Sequence, residues 1–575
     1  MGAHEKELTM KCRYRPPSLL FVIISLVLFA ASSSAQWSTS STVNNAVCTA
    51  TGTKYAPTII SDGFGGTLVM WYDSRGGGSL MIYIQRLNAS GARRWGNDGV
   101  LVSQVAGSQL RTTIAGDGSG GAIVTWQYGS YPSYSHIYAQ RVDSAGVRKW
   151  PAAGVPVCTA TGDQFNPTIT SDSVGGAIIA WRDQRNGPAD DVYAQRIDSS
   201  GSVLWTVDGV AISATTGYQS NPAIVSDDAG GAIITWTDSR NGSNTDIYAQ
   251  RISALGAALW TSNGVEISVG AEEQSSPMIV GDGIGGAIIA WQDSRNTANY
   301  DIYAQRVSAS GVVQWAANGT AISTAAGFQY APAIASDDSG GAIMTWWSYL
   351  SGEYDVYARR IDDAGVAQWT PDGVPICTLA ASRQDGPTIT KDGFGGAYIA
   401  WMDYRSGGNP DIYAQRIDAS GGIQWPADGV GISTTTGSQS APTIVHDGIS
   451  GAIMAWVDTR GIYASRVNSA GALGGTSVAV EETDDRIPGA FALMQNFPNP
   501  FNPSTTLSYS LSVSSRVDLR VFDLLGREVA ELVNREQHPG TYTVAFDASG
   551  LASGMYFYRL TAGDFAQTKK LLLTK

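Results

Sequence analysis

One tryptophan governs what this chain can fold into. It stands at Trp71, Trp126, Trp181, Trp236, Trp291, Trp346, Trp401 and Trp456, a constant step of 55 residues through eight copies. A fixed period of that size marks supersecondary units stacked as a propeller or solenoid, because no single unit can bury its own apolar faces. The repeat reads, in outline, Q-x-x-P-x-I-x-S-D-G-x-G-G-A-I-I-A-W-x-D-x-R, then D-I-Y-A-Q-R-I-D-x-S-G, then W-x-x-D-G-V-x-I-S. It divides into four strand-like runs. The P-x-I-x-S run meets the second through turns such as Asp62-Gly63 and Asp282-Gly283, where glycine supplies the positive φ of a tight hairpin. The second run, Ala287-Ile288-Ile289-Ala290-Trp291 in one copy, is apolar on both faces and belongs between neighbouring sheets. Four antiparallel strands per repeat make one blade, so the fold class is all-β: an eight-bladed β-propeller over residues 36–475.

The ends of the array point to a closed ring. A second tryptophan, in the fourth run, occurs only seven times, at Trp95, Trp150, Trp205, Trp260, Trp315, Trp369 and Trp425, and the eighth copy runs instead into Gly474-Gly475. Residues 36–48, from Gln36-Trp37 to Val47-Cys48, match the missing run, with Cys48 lying 55 residues before Ser103. An N-terminal strand completing the last blade leaves no open edge. The S-D-G-x-G-G turn resembles the Asp-box repeat of sialidase-like propellers. That resemblance implies the propeller class and no activity.

Residues 1–35 read as a secretory signal. Lys11, Arg13 and Arg15 precede an apolar run at 19–31, and Ser33-Ser34-Ala35 offers a cleavage site. The run is short of the roughly 20 residues a membrane span needs. Cys48, Cys158 and Cys377 fall where other copies carry serine, at Ser103, Ser213, Ser268, Ser323 and Ser433, and sit in different repeats. Free thiols are predicted.

Residues 476–489 form an acidic linker carrying Glu481, Glu482, Asp484 and Asp485. Beyond it, from 490 to 575, strand-like runs at 506–511, 516–523, 540–546, 554–560 and 569–574 suggest a small β-sandwich. The opening Asn496-Phe497-Pro498-Asn499-Pro500-Phe501-Asn502-Pro503, then Val521-Phe522-Asp523-Leu524-Leu525-Gly526, Gly540-Thr541-Tyr542, Ser553-Gly554-Met555-Tyr556-Phe557 and Lys569-Lys570-Leu571-Leu572-Leu573 follow in order. Together they resemble the type A sorting domain of the type IX secretion system, an immunoglobulin-like sandwich. The resemblance implies recognition by the type IX translocon and removal by a sortase-like peptidase. It implies a place at the outer-membrane surface, or outside it, of a Gram-negative bacterium.

The net charge of −13 excludes a phosphate-binding surface, so no nucleic-acid partner is expected. No transmembrane segment is expected in the mature chain, and a monomer is expected. Six pairs end the second run: Asp73 and Arg75, Asp183 and Arg185, Asp238 and Arg240, Asp293 and Arg295, Asp403 and Arg405, and Asp458 and Arg460. Their recurrence reads as structural bracing of each blade rather than as one site. Two copies break the rule. The second has Tyr128 and Ser130 in a loop with Tyr131, Tyr134 and His136, and the sixth has Trp347, Ser348, Tyr349, Leu350 and Tyr354. Departures of this kind are candidates for function, and Tyr128, Tyr131, Tyr134, His136, Trp347, Tyr349 and Tyr354 are the candidate ligand contacts. In a ring of eight, copies two and six stand opposite each other.

The histidines His136, His446 and His538 lack metal-ligand spacing, and no catalytic grouping, phosphate loop or cofactor motif is recognisable. No metal or cofactor is predicted. The leading function is binding or adhesion at the cell surface, with a glycan or protein ligand. A surface hydrolase or lyase acting on polysaccharide and a structural surface-layer component are the alternatives.

Overall fold

The structure is a computed structural model. It describes residues 36–474 apart from 106, 130–133, 243, 297–298, 350–351 and 381, and residues 491–574 apart from 495, 497–498, 500, 502–503, 538–539, 549 and 564. The expected signal segment, the linker, Ser130, Tyr131, Leu350 and His538 lie outside the described residues. No helix occurs among the described ones.

Eight four-stranded antiparallel sheets follow one another along the chain. Blade one consists of Lys54–Ser61, Thr67–Asp73, Met81–Leu87 and Val100–Leu101, and the next six repeat the order. The first strand of each blade touches the first strand of the next, and that of blade eight, Gln439–His446, returns to touch that of blade one. The ring is therefore closed. Its closing strand, Asn45–Cys48, pairs with Gly461–Asn468 as the fourth strand of blade eight.

Trp37 completes the tryptophan set. In each blade the fourth-strand indole N–H donates to a turn carbonyl of the following blade, as Trp95 does to Ser144 O at 2.9 Å and Trp425 to Ser469 O at 3.0 Å. Trp37 donates to Ala89 O of blade one at 2.8 Å, which fastens the last blade to the first. The contact is close enough to require glycine opposite: a Cβ at Gly91, where φ is +82°, would lie 2.7 Å from the Trp37 ring.

The repeated aspartate fixes each first hairpin. Asp62 Oδ1 accepts from the N–H groups of Phe64 and Gly66, while Oδ2 accepts from Arg86 Nε at 2.9 Å; the same aspartate–arginine pair recurs in all eight blades. Between blades the second-strand tryptophans are at most 1% exposed. Each buries an area of about 200 Å², so their burial contributes at most about 5 kcal/mol apiece.

The C-terminal region is a β-sandwich of two sheets around one core that includes Phe501, Leu507, Leu519, Tyr558 and Leu571. One strand, Glu528–Gln537, was not anticipated from the sequence. It is the edge strand of its sheet, carries two bulges against Ser515–Phe522, and buries little of its apolar surface beyond Val533.

Candidate functional site

Six blades share one arrangement at the end of the second strand. In blade one, Asp73 is fully buried; its Oδ2 accepts from Arg75 Nη2 at 2.6 Å and from the Trp71 indole at 3.0 Å. The Arg75 guanidinium lies 3.8 Å from the centre of the Tyr83 ring and also donates to Cys48 Sγ and to Asp98 O. Arg185, Arg240, Arg295, Arg405 and Arg460 stand over Tyr193, Tyr248, Tyr303, Tyr413 and Tyr463 at 3.7–4.6 Å. Arg185, Arg240, Arg295 and Arg405 also donate to the serine or cysteine that ends the preceding blade's fourth strand, whereas Arg460 donates to Thr435, two residues past that strand's end at Ser433. The arginine hydrogen bonds hold the Asp73 and Asp458 carboxyls below the usual carboxylate range, against the opposing effect of burial.

This explains the cysteines. Cys48, Cys158 and Cys377 are free, buried small groups that receive the arginine. Burial pushes the Cys48 thiol up to about 11 and Cys158 to about 12, so both are neutral and poorly nucleophilic.

Blade two replaces the brace with a ring. Tyr128 packs edge-on against Tyr138 at 5.9 Å, on the tyrosine that elsewhere carries the guanidinium. The buried indole N–H of Trp126 has no partner among the described residues, as is also the case for Trp456 of the braced blade eight. His136 Nδ1 lies 2.8 Å from Gln164 Oε1 of blade three, and Tyr134 is 53% exposed.

Blade six has Ser348 in place of the aspartate and gathers aromatics on the other face of its sheet. Its hairpin is one residue shorter: Ser348 pairs with Asp355, whereas Asp183 pairs with Asp191, and the ladder continues to Tyr349 opposite Tyr354. Trp347 meets Tyr330 at 4.7 Å and Tyr354 edge-on at 4.8 Å, and Tyr349 meets Tyr354 at 5.0 Å. Phe328 stacks on Tyr330 at 5.4 Å, and Tyr300 of blade five lies 5.9 Å from it. A bulge between Tyr330 and Ala333, with Ala331 at φ 49°, turns the first strand beneath this shelf. Five of these six rings are half-buried and Tyr349 is exposed, so the shelf faces solvent. From blade seven, Arg383 reaches over Tyr354 at 5.1 Å while forming an ion pair with Asp385.

On the opposite face of the sheet from the shelf, toward blade five, polar groups are unmatched. The Oγ atoms of Ser348 and Ser323, each in a side chain 1% exposed, have no hydrogen-bond partner among the described residues. Asp355 is 7% exposed, and burial, then Glu353 and Asp428, push its carboxyl up to about 6. Its counterparts Asp191, Asp246 and Asp301 each accept from an asparagine, and Asp411 accepts from Ser406; no described donor reaches Asp355.

Trp347, Tyr349 and Tyr354 are thus brought together. Tyr128, Tyr134 and His136 lie four blades away around the ring, and no described ring contact joins the two groups. Phe328, Tyr330, Tyr300 and Arg383 were missed from the sequence. Tyr330 directly follows the repeat's glutamine, a position that holds Tyr55 and Phe165 in other blades, so it gave no signal. His446 is a turn residue: its Nδ1 accepts from Gly448 N–H, and burial lowers its pKa. No group of three or more His, Cys, Asp or Glu side chains suited to a metal occurs among the described residues.

Fold and site together define an eight-bladed propeller with one aromatic-lined blade, followed in the chain by a β-sandwich. Residues 495–574 match the family described as the secretion system C-terminal sorting domain. The tail is a type IX sorting domain, and the protein is exported to the cell surface or the extracellular space. No curated protein matches the chain. Among solved structures, the chain is similar to an ulvan lyase (11% identity, TM-score 0.39, 75% of this chain and 98% of that one). It is also similar to PorZ of Porphyromonas gingivalis, a surface component of the type IX system (10%, 0.28, 91% and 82%), and to an endo-arabinase from Bacteroides thetaiotaomicron (12%, 0.28, 46% and 98%).

Proposed function

We propose that this is a surface-displayed glycan-binding propeller whose binding site is the aromatic shelf of blade six. The observation that carries the reading is the gathering of Tyr300, Phe328, Tyr330, Trp347, Tyr349 and Tyr354 at a solvent-facing position where the ring's regular brace is missing. Aromatic faces stack on the C–H faces of pyranose rings, and a rigid shelf loses little side-chain freedom on binding. The sorting domain delivers the propeller through the type IX translocon, and a sortase-like peptidase removes the tail. The test is calorimetric titration of the full chain with a panel of oligosaccharides. Trp347→Ala with Tyr349→Ala is expected to weaken binding at least about 30-fold, since each stacked ring contributes about 1 kcal/mol or more. Unchanged binding in a folded double variant overturns the reading.

A second reading, polysaccharide cleavage, is favoured by one feature: Asp355 is held protonated up to about pH 6 next to Glu353, as an acid catalyst requires. Release of reducing or unsaturated ends that is lost in Asp355→Asn would establish it.

A further inference from the structure

In the sorting domain, the turn that follows strand Ser515–Phe522 is built like eight turns of the propeller. Asp523 Oδ1 accepts from the N–H groups of Leu525 and Arg527, Asp523 N–H donates to Arg527 O, and Gly526 has φ 76°. After the third strand of every blade an aspartate, asparagine or serine closes the same turn, as Asp143 does with Ala145, Gly146 and Val147. The two residues at its tip are small or polar in seven blades and Ala254-Leu255 in blade four. In the sorting domain they are Leu524 and Leu525, 66% and 78% exposed. The turn itself does not require leucine.

The strand register extends these leucines into a patch. Phe522 pairs with Phe557, and Met555, two residues from Phe557, pairs with Leu572. Directly paired residues share a face of the sheet. The alternate positions Val521, Tyr556 and Leu571 belong to the core, so Phe522, Phe557, Met555 and Leu572 stand on the solvent face, at the end of the sheet that carries the Leu524-Leu525 turn. Met555 and Leu572 are 40% and 39% exposed. Beyond the patch lies charge: Arg520 pairs with Asp518, Glu528 and Glu531. Single exposed leucines are ordinary, whereas a contiguous apolar patch on the order of a few hundred Å² marks an interaction surface. The sheet edge beside it is already taken. Phe501 N–H donates to Leu572 O, Thr574 N–H donates to Phe501 O, and Leu572 N–H donates to Asn499 Oδ1, so a partner must grip side chains rather than add a strand there.

We propose that this patch is where the type IX translocon grips the sorting domain, with Leu524 and Leu525 entering an apolar pocket of the translocon. The occupant follows from the segment that bears the patch: residues 495–574 are a secretion-system sorting domain, whose partner is the export machinery. A tip held by Asp523 and Gly526 loses little freedom on docking. The proposal rests on export by the type IX system and is independent of the glycan reading.

The experiment expresses the full chain in a bacterium with a type IX system and measures the fraction that reaches the surface and the medium. Leu524→Ser with Leu525→Ser is expected to cut that fraction at least about tenfold and to leave folded chain, tail attached, in the periplasm. Leu255→Ser, on the like turn of blade four, and Val513→Ser, at the other end of strand Ser515–Phe522, are expected to be exported as the parent is. Export of the folded double variant at the parent's level overturns the proposal, as does an equal loss in Val513→Ser. Arrival at the surface with the tail uncleaved assigns the patch to the peptidase and overturns the translocon contact. A parent chain that is itself not exported overturns the type IX reading and the proposal with it. Met555→Gln, expected to lose at least about threefold, decides the matter where the double variant does not fold.

Discussion

Blades two and six have lost the same two residues and answer the loss in opposite ways. In blade two the aspartate became Tyr128, whose ring packs on Tyr138 and takes over the space of the missing guanidinium. In blade six it became Ser348, which fills little, and new rings from Tyr330, Trp347 and Tyr354 assemble alongside. The first change repairs packing. The second leaves buried hydroxyls and a carboxyl without described partners on the face of the sheet opposite a solvent-facing aromatic surface, an arrangement that costs stability.

The contrast can be broken most severely by removing a brace where one exists. Asp73→Ala in blade one leaves Arg75 without its carboxylate and is expected to cost about 3–5 kcal/mol, whereas Ser348→Ala at the same position of blade six costs under about 1 kcal/mol; thermal unfolding of both variants measures the difference. Next in size, Tyr128→Ala empties the filled position of blade two and is expected to cost about 2–3 kcal/mol with no loss of saccharide affinity. A loss of affinity there would make blade two part of the site.

Asp355→Asn sharpens the comparison through pH. Burial pushes the folded carboxyl up to about 6, above the ordinary carboxylate value of 3.8, so its penalty is absent below about pH 4 and complete above about pH 7. The asparagine variant is therefore expected to match the parent at pH 4 and to gain roughly 2 kcal/mol at pH 7.5, read as a rise in Tm. The smallest effect is reserved for repair of blade two. Tyr128→Asp with Ser130→Arg restores the braced sequence and an acceptor for the Trp126 indole, for a net change within about 1 kcal/mol.

Most of the propeller was legible because its signal is periodic. The 55-residue step located every blade, and the mismatch between eight second-strand and seven fourth-strand tryptophans pointed to residues 36–48 as the closing run, of which Asn45–Cys48 pairs with Gly461–Asn468. The edge strand Glu528–Gln537 escaped because its bulges break the two-residue alternation and its solvent side carries charge. Half of the site was legible for the same reason as the fold: Trp347, Tyr349 and Tyr354 interrupt a rule. Tyr330 does not, since the same first-strand position holds Tyr55, Leu110 and Phe165 in other blades, so another large ring there is no departure. Nor can spacing tell a filled position from an open one; that depends on Tyr128 turning onto Tyr138, a matter of side-chain packing.

The most direct measurement is a crystal structure of the protein with the tightest-binding oligosaccharide of the calorimetric panel. The expected result is a sugar ring against Trp347, Tyr330 and Tyr354. A saccharide seated in blade two against Tyr134, or on any braced blade with the shelf of blade six empty, would contradict it.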